Sequence, residues 1–252
     1  MIYLSDPFDI TQTVVFFLIA FFSLIVSVLI FSKDRSYALN RSFSLGVAIL
    51  GMSYVFSFLG NFYYILTENG DIIFIRTAFF LAPVAFMFFY FTAIGIYKGV
   101  DSMYKISEII LFIVIIIIEF TVIYIFDGIT FAPDTQTNSI STLPFKIVNL
   151  GTIAVLYLVI YYFFIQSYRT LDDPVVKNNL RFFLIGWFFG GLGFISIIGS
   201  DAFRVLDLVG PLLICIGIII ISRSFISKKH VLIILVLFFI SLSGVTAFYL
   251  TS

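Results

Sequence analysis

Residues 107–126 read SEIILFIVIIIIEFTVIYIF, an almost unbroken apolar stretch. A helix needs about 20 such residues to cross roughly 30 Å of hydrocarbon. Seven further stretches of this kind occupy most of the 252-residue chain. The eight predicted spans are residues 13–32, 43–66, 76–97, 107–126, 147–167, 181–199, 207–222 and 231–250. This pattern predicts an all-α, polytopic membrane helical bundle.

The composition supports the same class of protein. The chain is 62% hydrophobic and 11% charged, whereas soluble domains carry about 25% charged residues. We therefore expect membrane lipids to surround the bundle. The net charge is zero, so no overall field would attract nucleic acid, and no nucleic-acid partner is predicted. The longest connection, residues 127–146, contains several Gly, Pro and Asp residues, and we expect it to be irregular.

The basic residues collect in every second connection between the predicted spans. Eleven of the 14 Lys and Arg residues lie in this set of connections. They are Lys33, Arg35, Arg41, Lys98, Lys105, Arg169, Lys177, Arg181, Arg223, Lys228 and Lys229. Because cytoplasmic loops carry an excess of Lys and Arg, the sequence predicts a multi-pass protein of the cell membrane with both termini outside.

Several polar residues lie inside or at the ends of the apolar stretches. Glu119 is the strongest anomaly, because a carboxylate in a membrane helix usually faces protein or water. Five such residues belong to the predicted outer third of their helices and are candidate ligand-binding residues of an outer cavity. They are Asn61, Arg76, Glu119, Arg204 and Asp207. The alternatives are that Glu119 is a structural partner of Arg76 or of a neighbouring polar side chain, and that the set consists of ordinary polar groups at helix ends.

Glycine and proline mark two further features. Gly186, Gly190 and Gly193 are spaced at i, i+4 and i+7, which places them on one stripe of the sixth helix and predicts close packing of another helix. Pro83 and Pro211 lie within the third and seventh spans. They are expected to bend these helices, as hinges or as fixed shapes.

The sequence offers little support for catalysis or for a cofactor. His230 is the single histidine, and no cluster of metal ligands or nucleophile with its base is visible. We therefore expect no enzyme activity, no cofactor and no metal site.

Three segments carry a resemblance to a known family: NRSFSLGVAILGMSYVFSFLG, YRTLDDPVVKNNLRFFLIGWFFGGLG and LDLVGPLLICIGIIIISRSFI. The first and second pair a basic turn with a helix rich in small residues, and the third is an apolar helix that ends at a basic boundary. In this order they resemble the seven-transmembrane N-terminal sensor region of prokaryotic membrane histidine kinases. The resemblance implies a receptor-like core, residues 1–230, that binds a ligand or responds to the membrane and moves its seventh helix.

The chain departs from that family after residue 230. An eighth span, residues 231–252, follows in place of a kinase domain. We therefore expect a receptor-like sensor subunit that signals through a separate membrane or cytoplasmic protein. Two alternatives stay open: a non-catalytic assembly subunit of a larger membrane complex, and a small-solute or proton transporter that uses Glu119.

Overall fold

Eight long helices form most of the described part of this computed structural model, which covers residues 7–67, 72–131, 139–199, 203 and 205–251. In chain order they are α1 (Pro7–Lys33), α2 (Ala38–Thr67), α3 (Ile72–Lys98), α4 (Ile106–Ile125), α5 (Leu143–Thr170), α6 (Pro174–Gly199), α7 (Leu206–Ser222) and α8 (Lys228–Thr251). A short 3-10 turn, Val100–Tyr104, precedes α4. The predicted all-α bundle is confirmed, and a helix occupies each of the eight predicted spans.

The helices have the character of membrane spans. Six of them, α1 to α6, are long and apolar enough to cross a membrane, and α7 is a shorter apolar helix of 17 residues. α6 begins at Pro174, ahead of the predicted span at residue 181. Oδ1 of Asp173 accepts a hydrogen bond from the Val175 amide at 2.7 Å and caps this helix. The helix is longer than its apolar stretch because a polar cap sets its start.

The turn between α1 and α2 is organised by a carboxylate. Oδ1 of Asp34 accepts hydrogen bonds from the Ser36 hydroxyl at 2.7 Å and from the Ser36 and Tyr37 amides at 3.0 and 3.2 Å. These bonds, the Ser36 hydroxyl first, favour the charged carboxylate and hold the pKa of Asp34 below its usual range. The turn is therefore ordered around a charged Asp34.

Six of the helices pack in a closed ring. α1 contacts α2, α2 contacts α3, α3 contacts α5, α5 contacts α6, α6 contacts α7, and α7 contacts α1. α4 lies outside this ring, mainly against α3, and α8 lies outside it against α1 and α7. Many apolar side chains of α4 are exposed, among them Ile110 and Ile117. Membrane lipid would cover such a surface.

α8 is peripheral but shares the buried core of the ring. Phe238 is fully buried, and its ring centroid lies 5.4 Å from that of Phe22 on α1. The division of the chain into residues 1–230 and 231–252 therefore stays a prediction.

The connection between α4 and α5 is more regular than the sequence predicts. Strands β1 (Ile129–Phe131) and β2 (Ser139–Ser141) pair antiparallel in a small hairpin. Asp127 precedes it with φ of 47°, a left-handed conformation that Asp tolerates better than most residues. Arg76 of α3 fixes this hairpin: its guanidinium donates to the Ile129 carbonyl at 2.8 and 3.0 Å and forms an ion pair with Asp127 at 2.7 Å. The expectation of an irregular connection is wrong for these strands, since they pair with each other and Arg76 of α3 binds the first of them.

Serine hydroxyls join the first three helices of the ring. Ser27 of α1 and Ser44 of α2 each donate to the backbone carbonyl of the other at 2.9 Å. Ser53 of α2 donates to the Ala78 carbonyl of α3 at 2.7 Å. In an apolar environment no water competes for these bonds, so they fix how the helices are paired.

The contact between α6 and α7 depends on glycine. A Cβ on Gly186 would lie 2.5 Å from the Gly217 carbonyl oxygen, and a Cβ on Gly193 would lie 2.5 Å from the Gly210 carbonyl oxygen. Both distances are too short for any side chain, so two glycines of α6 meet two glycines of α7 at direct backbone contact. A Cβ on Gly190, in contrast, would meet nothing within 4 Å. Packing against α7 is thus observed at the two ends of the glycine stripe.

This difference between neighbouring glycines is testable. We expect Gly186→Ala and Gly193→Ala each to lower the free energy of unfolding by about 1–3 kcal/mol, because the added methyl must separate two backbones. Gly190→Ala is the matched control on the same helix and should leave stability unchanged or slightly raised, since Ala favours helix. Thermal unfolding in detergent measures all three; equal effects of the three substitutions would contradict the glycine contact.

Candidate functional site

A cavity of about 880 Å³ lies inside one end of the six-helix ring. All six ring helices line it, through the first turns of α1, α3, α5 and α7 and the last turns of α2 and α6. We call this the cavity end. The opposite end of the ring, where α2 and α6 begin and α1, α3, α5 and α7 end, carries most of the Lys and Arg residues, and we call it the basic end.

The cavity wall combines polar and aromatic side chains. Nine of the lining residues are polar: Asp9, Gln12, Ser53, Tyr54, Ser57, Asn61, Tyr64, Asn149 and Asp207. Some of them join helices across the wall, since the Asn61 amide on α2 donates to Oε1 of Gln12 on α1 at 3.3 Å. A large pocket with a few polar groups and much aromatic surface is the usual form of a small-molecule site.

An aromatic cluster closes the interior of the ring toward the basic end. Its members are Phe43, Phe89, Phe164, Phe183, Trp187 and Phe225, and we call it the aromatic floor. The Phe43 ring lies 4.7 Å from Phe225 and 5.4 Å from Phe89, measured between centroids. α5 and α6 are joined at the same level, because Tyr157 donates to the Trp187 carbonyl at 2.7 Å and the Trp187 indole donates to the Tyr157 carbonyl at 3.2 Å.

The structure brings together some of the five candidate ligand-binding residues and separates others. Asn61 and Asp207 both line the cavity. Arg76 is not among the lining residues, and its guanidinium is directed at the hairpin through the Ile129 carbonyl and Asp127. Arg204 lies outside the described residues. The ligand-binding role of the five residues stays a prediction, and two of them line the same cavity.

Glu119 lies behind the wall, in contact with a residue that lines the cavity. Its Oε2 accepts a hydrogen bond from Nδ2 of Asn149 at 2.9 Å, and Glu119 is 1% exposed. Nδ2 of Asn149 also donates to the Phe79 carbonyl at 3.2 Å. The sequence left two structural partners open for Glu119, namely Arg76 and a neighbouring polar side chain. The structure shows a polar side chain, Asn149, as the partner, and Arg76 pairs with Asp127 instead.

Two acceptor atoms of this pair have no hydrogen-bond partner among the described residues. They are Oε1 of Glu119 and Oδ1 of Asn149, both buried. A buried acceptor without a donor costs free energy of about 1–3 kcal/mol, so such atoms are uncommon in a finished core. Asn149 lines the cavity whereas Glu119 does not, so Oδ1 of Asn149 marks a place where a donor can be bound.

Sequence reasoning did not single out Asn149, Gln12 or Asp9. Each lies near the start of an apolar stretch, where a polar residue resembles an ordinary helix end. Ser53, Ser57 and Asn61 lie along one stripe of α2, and all three line the cavity. Asn149 would have been found by considering every polar residue near the start of each apolar stretch, and not only the charged ones.

The two prolines occupy different places. Pro83 is buried within α3, and Pro211 lies within α7 and lines the cavity. Both helices are continuous through their proline. The hinge role of Pro83 and Pro211 stays a prediction.

The contact between Glu119 and Asn149 generates a prediction about stability. Glu119→Gln should keep or raise the melting temperature, because the amide oxygen can still accept from Asn149 Nδ2 while a buried carboxylate is removed. Glu119→Leu should lower the free energy of unfolding by about 1–2 kcal/mol, since Asn149 loses its side-chain acceptor. Thermal unfolding of the purified variants distinguishes the two; a Gln variant destabilised as much as the Leu variant would show that an amide oxygen cannot replace the carboxylate as the acceptor.

Comparison with known proteins adds no family to these observations. No family model matches the chain, and a search of curated proteins finds no match. The resemblance to kinase sensor regions therefore stays a prediction, and functional inference rests on the cavity and its wall.

Proposed function

We propose that this chain is a receptor-like membrane sensor subunit that binds a small molecule in the cavity and acts through a separate partner protein. The observation that carries the proposal is the cavity itself: about 880 Å³ enclosed by six helices, with polar and aromatic walls. This volume lies within the range of small-molecule sites, about 300–1,000 Å³. A purely structural subunit does not need a cavity of this size, because side chains packed in its place would stabilise the bundle.

The closed floor supports binding over transport. The aromatic floor fills the ring beneath the cavity with interlocked rings, of which Phe43 and Phe164 are 1% exposed. A solute that entered the cavity would have to displace this layer to cross the membrane. We therefore favour a sensor over a small-solute or proton transporter.

α7 offers a route from the cavity to the basic end. Its first turns contribute Asp207 and Pro211 to the cavity wall, and Gly217 and the following turn contact α6 and the aromatic floor. A ligand that contacts the first turns would shift the helix, and Pro211 is the position at which α7 would bend. The partner would bind at the basic end.

The positive-inside rule supports one orientation. The cavity lies at the end of the ring opposite the basic connections, and the excess of Lys and Arg at the basic end favours the cytoplasm for that end. We infer that the cavity opens to the exterior, with both termini outside.

Cysteine labelling tests this orientation. Cys215, the single native cysteine, is buried. It is first replaced by alanine, so that each introduced cysteine supplies the thiol that is labelled. In intact cells, a membrane-impermeant thiosulfonate reagent should modify Ser57→Cys on the cavity wall. It should leave Ser36→Cys, in the turn between α1 and α2, unmodified until the membrane is permeabilised. Mass spectrometry measures both, and the reverse pattern would overturn the orientation.

A cavity-filling substitution tests the sensor function without a known ligand. Ala82 lines the cavity, so Ala82→Trp should occupy space that a ligand would take and should displace the first turns of α7. In the Cys215→Ala background, spin labels at Lys33→Cys and Ser227→Cys report the distance between the end of α1 and the connection that follows α7. We expect the distance distribution to shift by several ångström, a size typical of helix motions that carry signals (about 1–5 Å).

The matched control places the same large side chain on the lipid-facing surface. Leu158 of α5 is exposed, and Leu158→Trp should leave the distance distribution unchanged. If Ala82→Trp is folded and its distribution equals that of the unsubstituted protein, the bundle is rigid between cavity and basic end. That result would favour an assembly subunit over a sensor.

A further inference from the structure

Basic side chains are concentrated where α1 ends and α8 begins. Residues 31–41 and 223–233 together contain six Lys and Arg residues and one acidic residue, Asp34. Four of the six lie at the end of α1 or in the first turn of α8, and all four are exposed. We call these four the basic cluster: Lys33, Arg35, Lys228 and Lys229.

The two halves of this cluster lie at the same height on neighbouring helices. α1 ends and α8 begins at the basic end, and the two helices contact each other, with the ring centroids of Phe22 and Phe238 5.4 Å apart. Lys33 follows Phe22 by eleven residues, and Lys228 precedes Phe238 by ten. At about 1.5 Å per residue, these separations are about 16 and 15 Å of helix toward the basic end. The cluster therefore gathers positive charge from two distant chain segments at one place.

The charge of the cluster is not neutralised by ion pairs within the chain. The structure describes every residue from 31 to 41 and from 223 to 233, and none of the four cations forms an ion pair with a described carboxylate. Oδ1 of Asp34 accepts its hydrogen bonds within its own turn, from Ser36 and Tyr37. The guanidinium carbon of Arg35 lies 5.8 Å from the ring centroid of Phe31. Four cations are thus available to an anion from outside the chain.

Exposed apolar side chains adjoin the cluster on both helices. Val28 of α1 is 66% exposed and precedes Lys33 by five residues, and Leu232 of α8 is 58% exposed and follows Lys228 by four. Both lie within two helical turns of the cations. The cluster therefore lies at the edge of the lipid-facing surface, at the level where the headgroup phosphates of a bilayer lie.

We propose that the ends of α1 and α8 bind an anionic phospholipid. Its phosphate lies among the four cations of the basic cluster, and its acyl chains pack against exposed apolar side chains such as Val28 and Leu232. A lipid provides both the charge and the apolar chains that fit this surface, whereas an acidic protein or a free phosphate compound provides only the charge. Bound there, the lipid holds α8 against α1. This inference goes beyond the proposed sensor function and requires no ligand in the cavity.

Two lipids that differ only in the headgroup test this assignment. Dioleoyl phosphatidylglycerol is an anion, and dioleoyl phosphatidylcholine carries no net charge. Each is titrated into the detergent-purified full chain, and native mass spectrometry counts the bound lipids and gives their dissociation constants. One basic residue near an anionic lipid contributes a factor of about five in affinity, so the first phosphatidylglycerol should bind at least about tenfold more tightly than phosphatidylcholine.

Paired substitutions locate the site. Lys228→Gln combined with Lys229→Gln should weaken phosphatidylglycerol binding by about 25-fold, because two cations of the cluster are removed. Affinity for phosphatidylcholine should stay unchanged. Both residues are exposed, so the substitutions remove no buried contact.

The matched control removes two cations elsewhere at the basic end. Lys105 precedes α4 and Arg169 lies in the last turn of α5, across the ring from α1, and both are exposed. Lys105→Gln combined with Arg169→Gln should change phosphatidylglycerol affinity by less than about twofold, since exposed charges at that distance are screened.

Three results would overturn the lipid site. Equal affinities of the two lipids would show that the cluster does not select an anionic headgroup and would leave it to an acidic protein partner. An equal loss in the control pair would show diffuse electrostatic attraction without a site at α1 and α8. Displacement of phosphatidylglycerol by glycerol 3-phosphate at equal ionic strength would assign the cluster to a free phosphate compound.

Discussion

The close backbone contact between α6 and α7 determines the shape of the bundle. Lipid is as apolar as the helices, so no hydrophobic force holds one span against another. Association must come from close packing and from buried hydrogen bonds. Gly193 against Gly210 and Gly186 against Gly217 bring two backbones together, and the contact of α7 with α1 then closes the ring. The cavity exists because this ring is closed on all sides.

The interior of the ring changes character along its axis. At the cavity end, side chains such as Asn61, Asn149 and Asp207 leave room and offer hydrogen-bonding groups. At the basic end, rings such as Phe43, Phe183 and Phe225 fill the space. A cavity with hydrogen-bonding groups at one end of the ring, and with aromatic rings that block the other end, is suited to bind and release a molecule from the same end. The sensor proposal depends on this asymmetry.

The sequence was most informative where one physical variable decides the structure. Apolar length fixes a membrane span, so the eight helices were predicted, with a boundary that differs where Asp173 caps α6. Which side chains meet depends on how each helix is rotated about its axis and on which helices are neighbours. The hydrophobic periodicity of the sequence does not contain this information. Arg76 therefore looked equivalent to Asn61 in the sequence, although one orders the hairpin and the other lines the cavity.

The peripheral position of α4 also constrains how the protein can be assembled in the membrane. α3 packs on α5, so the helix that follows α3 in the chain is not its neighbour within the ring. As spans leave the insertion machinery in order, α1, α2 and α3 can associate at once through the serine hydrogen bonds. α4 lies beside α3 outside the ring, so the ring is complete only when α7 contacts both α6 and α1. If the spans are inserted in chain order, Asn149 and Asp9 are enclosed only after α7 arrives, and the polar wall would have to be shielded from lipid until then.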